Sequence, residues 1–216
     1  PATLLTDEPC TIENLPYIDD VFVLRDMLQL MGVQVDLPGN GRMVICAKNI
    51  DRYDVPYDLA SRMRASYYIL SALLGRVGRG EVARPGGCDI GSRPIDQTVK
   101  GLSALGAQVD TSRGVITAEV ETLHGGEVFL DMPSVGATIN TMLAAVRAEG
   151  RTTINNAARE PHVVDVANFL GAMGANIKGA GTDTIRIRGV SEMHGCTYSI
   201  IPDQIESGTL MIAAAA

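Results

Sequence analysis

Between Arg79 and Asp96 the chain reads RGEVARPGGCDIGSRPID, with Cys88 at its centre. A thiolate is a strong nucleophile, and nearby cations favour it over the thiol. Arg79, Arg84 and Arg93 supply positive charge within this stretch. Pro85, Gly86, Gly87, Gly91 and Pro94 make a loop whose backbone amides can approach an anion closely. Such a loop can do acid–base or covalent chemistry on an anionic substrate. The same residues also describe a plain connection with an incidental cysteine, because free Cys more often packs as a small hydrophobe. On the loop alone both readings stand.

Two further groups have suitable chemistry. In Met132-Pro133-Ser134-Val135-Gly136-Ala137-Thr138 a helix begins near Gly136, and small hydroxyl residues at a helix start can bind phosphate through unpaired N–H groups. The competing reading is an ordinary N-cap. Arg64 lies near the start of a mostly apolar helix, where the dipole gives no reason for a cation. That position points to a ligand, with a surface salt bridge as the alternative. His124, His162 and His194 are isolated, fall in expected loops and read as structural or solvent-exposed.

The elements that position these residues repeat. Val21–Val35, Ile95–Val109 and Val163–Ile177 align on Gly32, Gly106 and Gly174, spaced by 74 and 68 residues. Val21, Ile95 and Val163 lie eleven before the glycine, Leu28, Leu102 and Leu170 four before, and Met31, Leu105 and Met173 one before. Steps of seven and three put them on one helical face, and the glycine ends the helix in a left-handed cap. A hairpin follows each, turning at Pro38–Gly41, Ser112–Gly114 and Gly179–Asp183. A second, small and apolar helix is expected over Leu59–Gly75, Gly136–Glu149 and Glu206–Ala216, with Pro1–Leu5 as a remnant copy. Strands follow at Cys10–Ile12, Glu81–Ala83 and Thr152–Ile154. Helices apolar on most sides are buried, so the expected fold places the second helices centrally with sheets outside them.

Composition sets limits. The 216 residues suffice for a sizeable core, and with 4% aromatics and no Trp that core is aliphatic. A net charge of −7 argues against a general nucleic-acid surface. No apolar run approaches the roughly 18 residues that cross a bilayer. Cys10, Cys46, Cys88 and Cys196 form no metal-binding spacing and read as reduced thiols of a cytoplasmic protein. No metal and no cofactor are expected. With no initiator Met and an uncapped last helix, the sequence reads as a fragment.

Pro85 through Asp96 resembles the active-site loop of the UDP-N-acetylglucosamine 1-carboxyvinyltransferases. Similar agreement covers Pro56-Tyr57-Asp58-Leu59 through Met63-Arg64-Ala65-Ser66, then Ser134-Val135-Gly136-Ala137-Thr138, Asn156–Pro161 and Pro202–Thr209. These motifs run through nearly the whole chain in the family's order. The resemblance implies an α/β fold: an inside-out α/β barrel of three repeated helix–hairpin–helix–strand units. It implies that residues 1–216 form one domain, that a similar partner domain is absent from this chain, and that the active site lies between the two.

The implied reaction moves enolpyruvyl from phosphoenolpyruvate to the 3′-hydroxyl of UDP-N-acetylglucosamine with loss of phosphate, the first committed step of peptidoglycan synthesis. By resemblance Cys88 is the general acid and the residue alkylated by fosfomycin. Arg93 contacts phosphate, and Arg64 contacts the nucleotide sugar. Pro94, Ile95, Asp96 and Gln97 form the uridine-binding stretch, while Ser134, Val135 and Gly136 form a diphosphate-binding turn. Two departures bear on the nucleotide contacts: Thr98 stands where the family usually has His, and Met132-Pro133 where some members have Lys. A Lys-Asn pair and a catalytic Asp of the family fall outside this chain, so the fragment is expected to have no turnover alone. The related 5-enolpyruvylshikimate-3-phosphate synthases share the fold but lack such a cysteine loop. A domain that only binds nucleotide sugar has no need of an alkylatable thiol.

Overall fold

A computed structural model describes residues 1–86 and 94–216. Cys88 and Arg93 lie outside the described residues.

The first-helix copies form where the periodicity places them. They are α1 (Asp19–Leu30), α4 (Asp96–Ala104) and α6 (Pro161–Ala172). α2 (Tyr57–Ala60) and α3 (Tyr68–Val77) fall between the first two, and α5 (Val135–Ala145) before the third. Asp19 and Asp20 favour the positive end of α1, and Pro161, which lacks an N–H to satisfy, opens α6. Leu28, Leu102 and Leu170 are fully buried, as are Met31, Leu105 and Met173. Gly32, Gly106 and Gly174 have φ of 83°, 94° and 98°, the left-handed stop expected of them. His162 sits in the first turn of α6 rather than in a loop, because Pro161 can start a helix as readily as it can end one.

Three sheets of four strands follow the same plan among the described residues. The first contains β1 (Cys10–Glu13), β2 (Gln34–Gly39) and β3 (Arg42–Cys46). The second contains β4 (Asp54–Val55), β5 (Arg79–Ala83), β6 (Gln108–Asp110) and β7 (Val115–Glu119). The third contains β8 (Glu127–Phe129), β9 (Arg151–Asn155), β10 (Asn176–Lys178) and β11 (Thr184–Arg188). β12 (Thr197–Ser199) returns to complete the first. Their orders are β12-β1-β3-β2, β4-β5-β7-β6 and β8-β9-β11-β10. In each, an antiparallel hairpin flanks a central strand whose other side carries a parallel edge strand.

The second-helix copies depart from one another. Leu59–Gly75 is not continuous: it divides into α2 (Tyr57–Ala60), a 3-10 turn (Arg64–Tyr67) and α3 (Tyr68–Val77). Met63 is extended at φ −147° and ψ 142°, which breaks the helix and starts a new one at Arg64. α3 and α5 (Val135–Ala145) are the buried central pair. The third copy, α7 (Gln204–Ala215), has no buried residue; Leu210, Met211 and Ile212 are 63%, 72% and 74% exposed. In its stead the short 3-10 helix Ala2–Leu5 is buried, with Leu4 and Leu5 fully enclosed beside α3. The expectation of a third central helix at Glu206–Ala216 is therefore corrected: an apolar sequence makes a helix, but it needs neighbours to bury it.

The centre of the fold also holds polar groups. Ser71 donates to Asn140 Oδ1 at 2.6 Å between α3 and α5, and Asn140 Nδ2 donates to the Gly136 carbonyl at 2.9 Å. Gly101 lets α4 lie directly against Thr141 of α5, whose hydroxyl a methyl group there would overlap.

Candidate active site

The break before α3 places Arg64 at a turn start instead of along a helix. Its guanidinium lies 5.5 Å from the Tyr67 ring centroid, and Tyr67 stacks on Tyr68 at 4.9 Å. Ser66 anchors the turn by donating to the Ala60 carbonyl at 3.2 Å. The same carbonyl accepts from the Gly86 N–H at 3.1 Å. Gly86 lies so close to Ser61 that a methyl group there would overlap the Ser61 carbonyl. The root of the cysteine-bearing loop is thus fastened beside the Arg64 turn.

Ser134 is the N-cap of α5, its Oγ accepting from the Ala137 N–H at 3.3 Å. The capping reading and the ligand reading coexist, because the first-turn amides at Val135 and Gly136 have no intrahelical acceptor. They lie at the positive end of α5, where anions are favoured.

Arg64, Pro94, Gln97, Ser134, Val135 and Gly136 line one cleft of about 270 Å³. Six of the sequence-selected residues therefore converge. Ile95 and Asp96 do not line the cleft; Ile95 precedes α4 and the Asp96 carboxylate accepts from Gln97 Nε2 at 3.0 Å. Two larger grooves, of about 770 and 870 Å³, lie over β5, β6 and β7 and contain none of the selected cleft residues. Size does not identify the site here; the convergence of residue types does.

The cleft also has members that residue motifs alone do not single out. Tyr67 and Tyr68 are two of them, and they complete its lining with Thr98, a position that the resemblance already marked. Tyr67 is buried, and its hydroxyl sits against Gly136 so closely that a methyl group there would overlap it. Two adjacent tyrosines in a chain with only six were a signal, since Tyr keeps a polar tip at a buried wall. Gln97 is clasped by Asp131: Nε2 donates to the carboxylate at 3.0 Å and Oε1 accepts the Asp131 N–H at 2.8 Å. Lys100, then Gln97, hold the Asp131 carboxyl below the usual carboxylate range. Both ends of the Gln97 amide are thus held by Asp131. Among the described residues no cluster of His, Cys, Asp or Glu suits a metal ion.

Chemically, the cleft combines one guanidinium, a helix start, hydroxyls and stacked aromatic rings. That set has the chemistry to suit a phosphorylated, ring-bearing ligand. The three four-stranded sheets have the enolpyruvyl transferase fold. Residues 1–216 match the family model described as EPSP synthase (3-phosphoshikimate 1-carboxyvinyltransferase), and the chain belongs to that family.

Within the family the relatives are more specific. The whole chain is 54% identical to UDP-N-acetylglucosamine 1-carboxyvinyltransferase 3 of Caldanaerobacter subterraneus subsp. tengcongensis, covering 52% of that protein. It is 52% identical to UDP-N-acetylglucosamine 1-carboxyvinyltransferase 2 of Bacillus subtilis, covering 50%. Among solved structures, the enolpyruvyl transferase NikO from Streptomyces tendae matches with a TM-score of 0.84 at 26% identity, over 98% of this chain and 50% of that one. An EPSP synthase from Acinetobacter baumannii matches over 99% of this chain and 50% of that one with a TM-score of 0.72 at 19% identity, a likeness of fold. The chain spans about half the length of the curated relatives it matches.

Proposed function

We propose that this chain is the cysteine-bearing half of a UDP-N-acetylglucosamine 1-carboxyvinyltransferase, with residues 1–216 as one enolpyruvyl transferase domain. The observation that carries the reading is the convergence of Arg64, Pro94, Gln97, Ser134, Val135 and Gly136 on one cleft beside the root of the Cys88 loop. The acceptor is chosen by 54% identity to relatives named for it. A second domain of the same enzyme completes the site. The exposed Leu210, Met211 and Ile212 of α7 support such a partner, since a bare apolar helix face is costly in water.

In this reading Ser134, Val135 and Gly136 hold the diphosphate at the α5 N-terminus, and Arg64 holds the nucleotide sugar. Pro94, Ile95, Asp96 and Gln97 form the uridine wall. Arg93 holds the phosphate of phosphoenolpyruvate. Cys88 protonates the methylene carbon while the sugar 3′-hydroxyl adds to the enol carbon and gives up its proton; phosphate then leaves as the new methyl group loses one proton, which restores the enolpyruvyl double bond. Fixed cations and amides stabilise the charge that develops, and a thiol tuned toward neutrality can serve as the acid. No cofactor or metal is required. The reaction belongs to peptidoglycan synthesis in the cytoplasm, without nucleic acid or membrane as partner; no helix among the described residues is long and apolar enough to cross a membrane. The 216-residue chain alone gives no turnover, because the partner domain's residues are missing.

The test is phosphate release from phosphoenolpyruvate by the full-length protein. Turnover is expected with UDP-N-acetylglucosamine and not with 3-phosphoshikimate, together with a single fosfomycin adduct on Cys88 that is lost in Cys88→Ala. Turnover with 3-phosphoshikimate alone would overturn the acceptor assignment. Nucleotide-sugar binding with neither turnover nor adduct would leave a binding domain.

A further inference from the structure

Each hairpin hands the strand after it to the next sheet. β4 follows the first hairpin and joins the second sheet, β8 follows the second hairpin and joins the third, and β12 follows the third hairpin and returns to the first. The β12–β1 pair is therefore the seam that closes the ring, with Thr197 in register with Thr11.

The three sheets share one backbone bond at this place. Thr11 N–H donates to the Cys196 carbonyl at 2.8 Å, Glu81 N–H to Tyr53 at 2.8 Å, and Thr153 N–H to Gly126 at 3.0 Å. The residues preceding the donors are Cys10, Gly80 and Thr152, facing Cys196, Tyr53 and Gly126. Of these three equivalent positions, the seam alone carries a thiol on both strands. Both cysteines are free. Cys10 is fully buried, and Cys196 is half-buried against the same core. The Cys10 thiol lies 4.0 Å from the Glu8 carbonyl, and the parallel register of Thr11 with Thr197 sets Cys196 beside Cys10 one residue earlier.

Neighbouring strands lie about 4.8 Å apart, inside the Cα separation a disulfide spans. The seam is tied on either side of the pair. Thr6 Oγ1 donates to the Met193 carbonyl at 2.7 Å, the Gly195 N–H to Glu8 Oε2 at 2.9 Å, and Asn14 Nδ2 to the Ile200 carbonyl at 2.9 Å. Bond formation thus needs little backbone movement.

We propose that Cys10 and Cys196 are a redox-active thiol pair that closes a disulfide across the ring seam when the protein meets a peroxide. The Cys196 sulfur attacks one peroxide oxygen. The O–O bond breaks, leaving a sulfenic acid on Cys196 and a hydroxide that takes the thiol proton as water. The Cys10 sulfur then attacks the Cys196 sulfur. The S–O bond breaks, and the departing hydroxide leaves as water with the Cys10 proton. Two thiols and one hydrogen peroxide become one disulfide and two waters; each sulfur loses one electron and the peroxide gains two. Burial pushes the Cys10 thiol up to about 11 and raises Cys196 as well, so the first attack is slow and falls to the less buried Cys196. The pair is separate from the cleft, and the inference stands whether or not the proposed reaction does.

The experiment treats the full-length protein with excess hydrogen peroxide, alkylates the remaining thiols under denaturing conditions and maps unreduced peptides by mass spectrometry. The expected product is a Cys10–Cys196 cross-linked peptide pair, two hydrogens lighter than its separate thiols and released by dithiothreitol. It is absent in Cys196→Ser. Because the bond closes a loop of most of the described chain, oxidation should raise Tm reversibly by roughly 5–10 °C, with no such rise in Cys196→Ser. Recovery of both cysteines as alkylated thiols, a sulfinic acid on Cys196, or bonds from either residue only to other cysteines would overturn the proposal. The wild-type peptide map decides the matter even if Cys196→Ser folds poorly.

Discussion

The Tyr67 hydroxyl fills the space that any side chain at Gly136 would need. This contact joins two halves of the cleft: the turn carrying Arg64 and the N-terminus of α5. Tyr67 is also the ring under the Arg64 guanidinium and the ring stacked on Tyr68. A displacement of Tyr67 therefore moves the cation relative to the helix start.

Gly136→Ala should impair the site by this route. The new methyl would overlap the Tyr67 oxygen and come within 3.0 Å of its Cζ. Overpacking of this kind costs about 1–3 kcal/mol. In the full-length protein we expect KM for the nucleotide sugar to rise roughly 5–150-fold, the same energy expressed as affinity. Tyr67→Phe removes the overlapping oxygen, so the double variant should recover part of the loss. A double-mutant cycle with no coupling between the two positions would refute the contact's role.

Asp131→Ala tests the clasp on Gln97. The substitution removes the acceptor of both Gln97 Nε2 and Lys100 Nζ, although the backbone bond to Gln97 Oε1 survives. Asp131 is exposed, so the change in Tm should be small. The expected effect is a several-fold higher KM for the nucleotide sugar with kcat unchanged, read by steady-state kinetics of the full-length enzyme. A fall in kcat at constant KM would place Asp131 in a different role.

The repeat was legible because Leu28, Leu102 and Leu170, and the glycines four residues on, obey local rules: helical period and left-handed cap. The ring order was not legible, since the pairing of β12 with β1 joins residues almost a whole chain apart and has no local signature. The failure at Leu59–Gly75 has the same origin. Met63 is apolar and fits a helical pattern, yet its extended backbone is fixed by the turn that Ser66 ties to Ala60. Arg64, Ser134 and Gly136 were legible as types, through a misplaced cation and a helix start. Tyr67 was marked only as one of two adjacent tyrosines, because its importance lies in a contact with a residue 69 positions away. The positions of α7 and of Ala2–Leu5 show the limit of apolar patterning: both are apolar, and only the second is buried.

Asn140→Ala should destabilise the domain more than Ser71→Ala. Asn140 is fully buried, and its loss strands the Ser71 hydroxyl and leaves a small void between α3 and α5. An unsatisfied buried group costs about 1–3 kcal/mol, and the void adds to it. Denaturant midpoints of the full-length protein measure both variants. Equal destabilisation would mean that the hydrogen bond, rather than the larger amide, sets the cost.

Tyr198 links alkaline stability to the seam. Its hydroxyl donates to Asp165 Oδ1 at 2.8 Å, while Asp165 Oδ2 accepts the Ile201 N–H at 3.5 Å. Burial, followed by the Asp165 carboxylate, pushes the Tyr198 hydroxyl up to about 12. An unfolded tyrosine ionises near 10. The folded pKa is raised, so the contribution is fully present below pH 10 and is lost as pH rises toward 12, where the unfolded state binds fewer protons. Tyr198→Phe should lower stability near pH 8 by about 1 kcal/mol, the usual net value of one hydrogen bond. Between pH 10 and 12 the difference from the wild type should shrink, because the variant has no hydroxyl to ionise. Comparing the two proteins at each pH cancels the titration of other tyrosines and lysines, and a gap that stays constant to pH 12 would show that the hydroxyl is not held neutral by Asp165 and its burial.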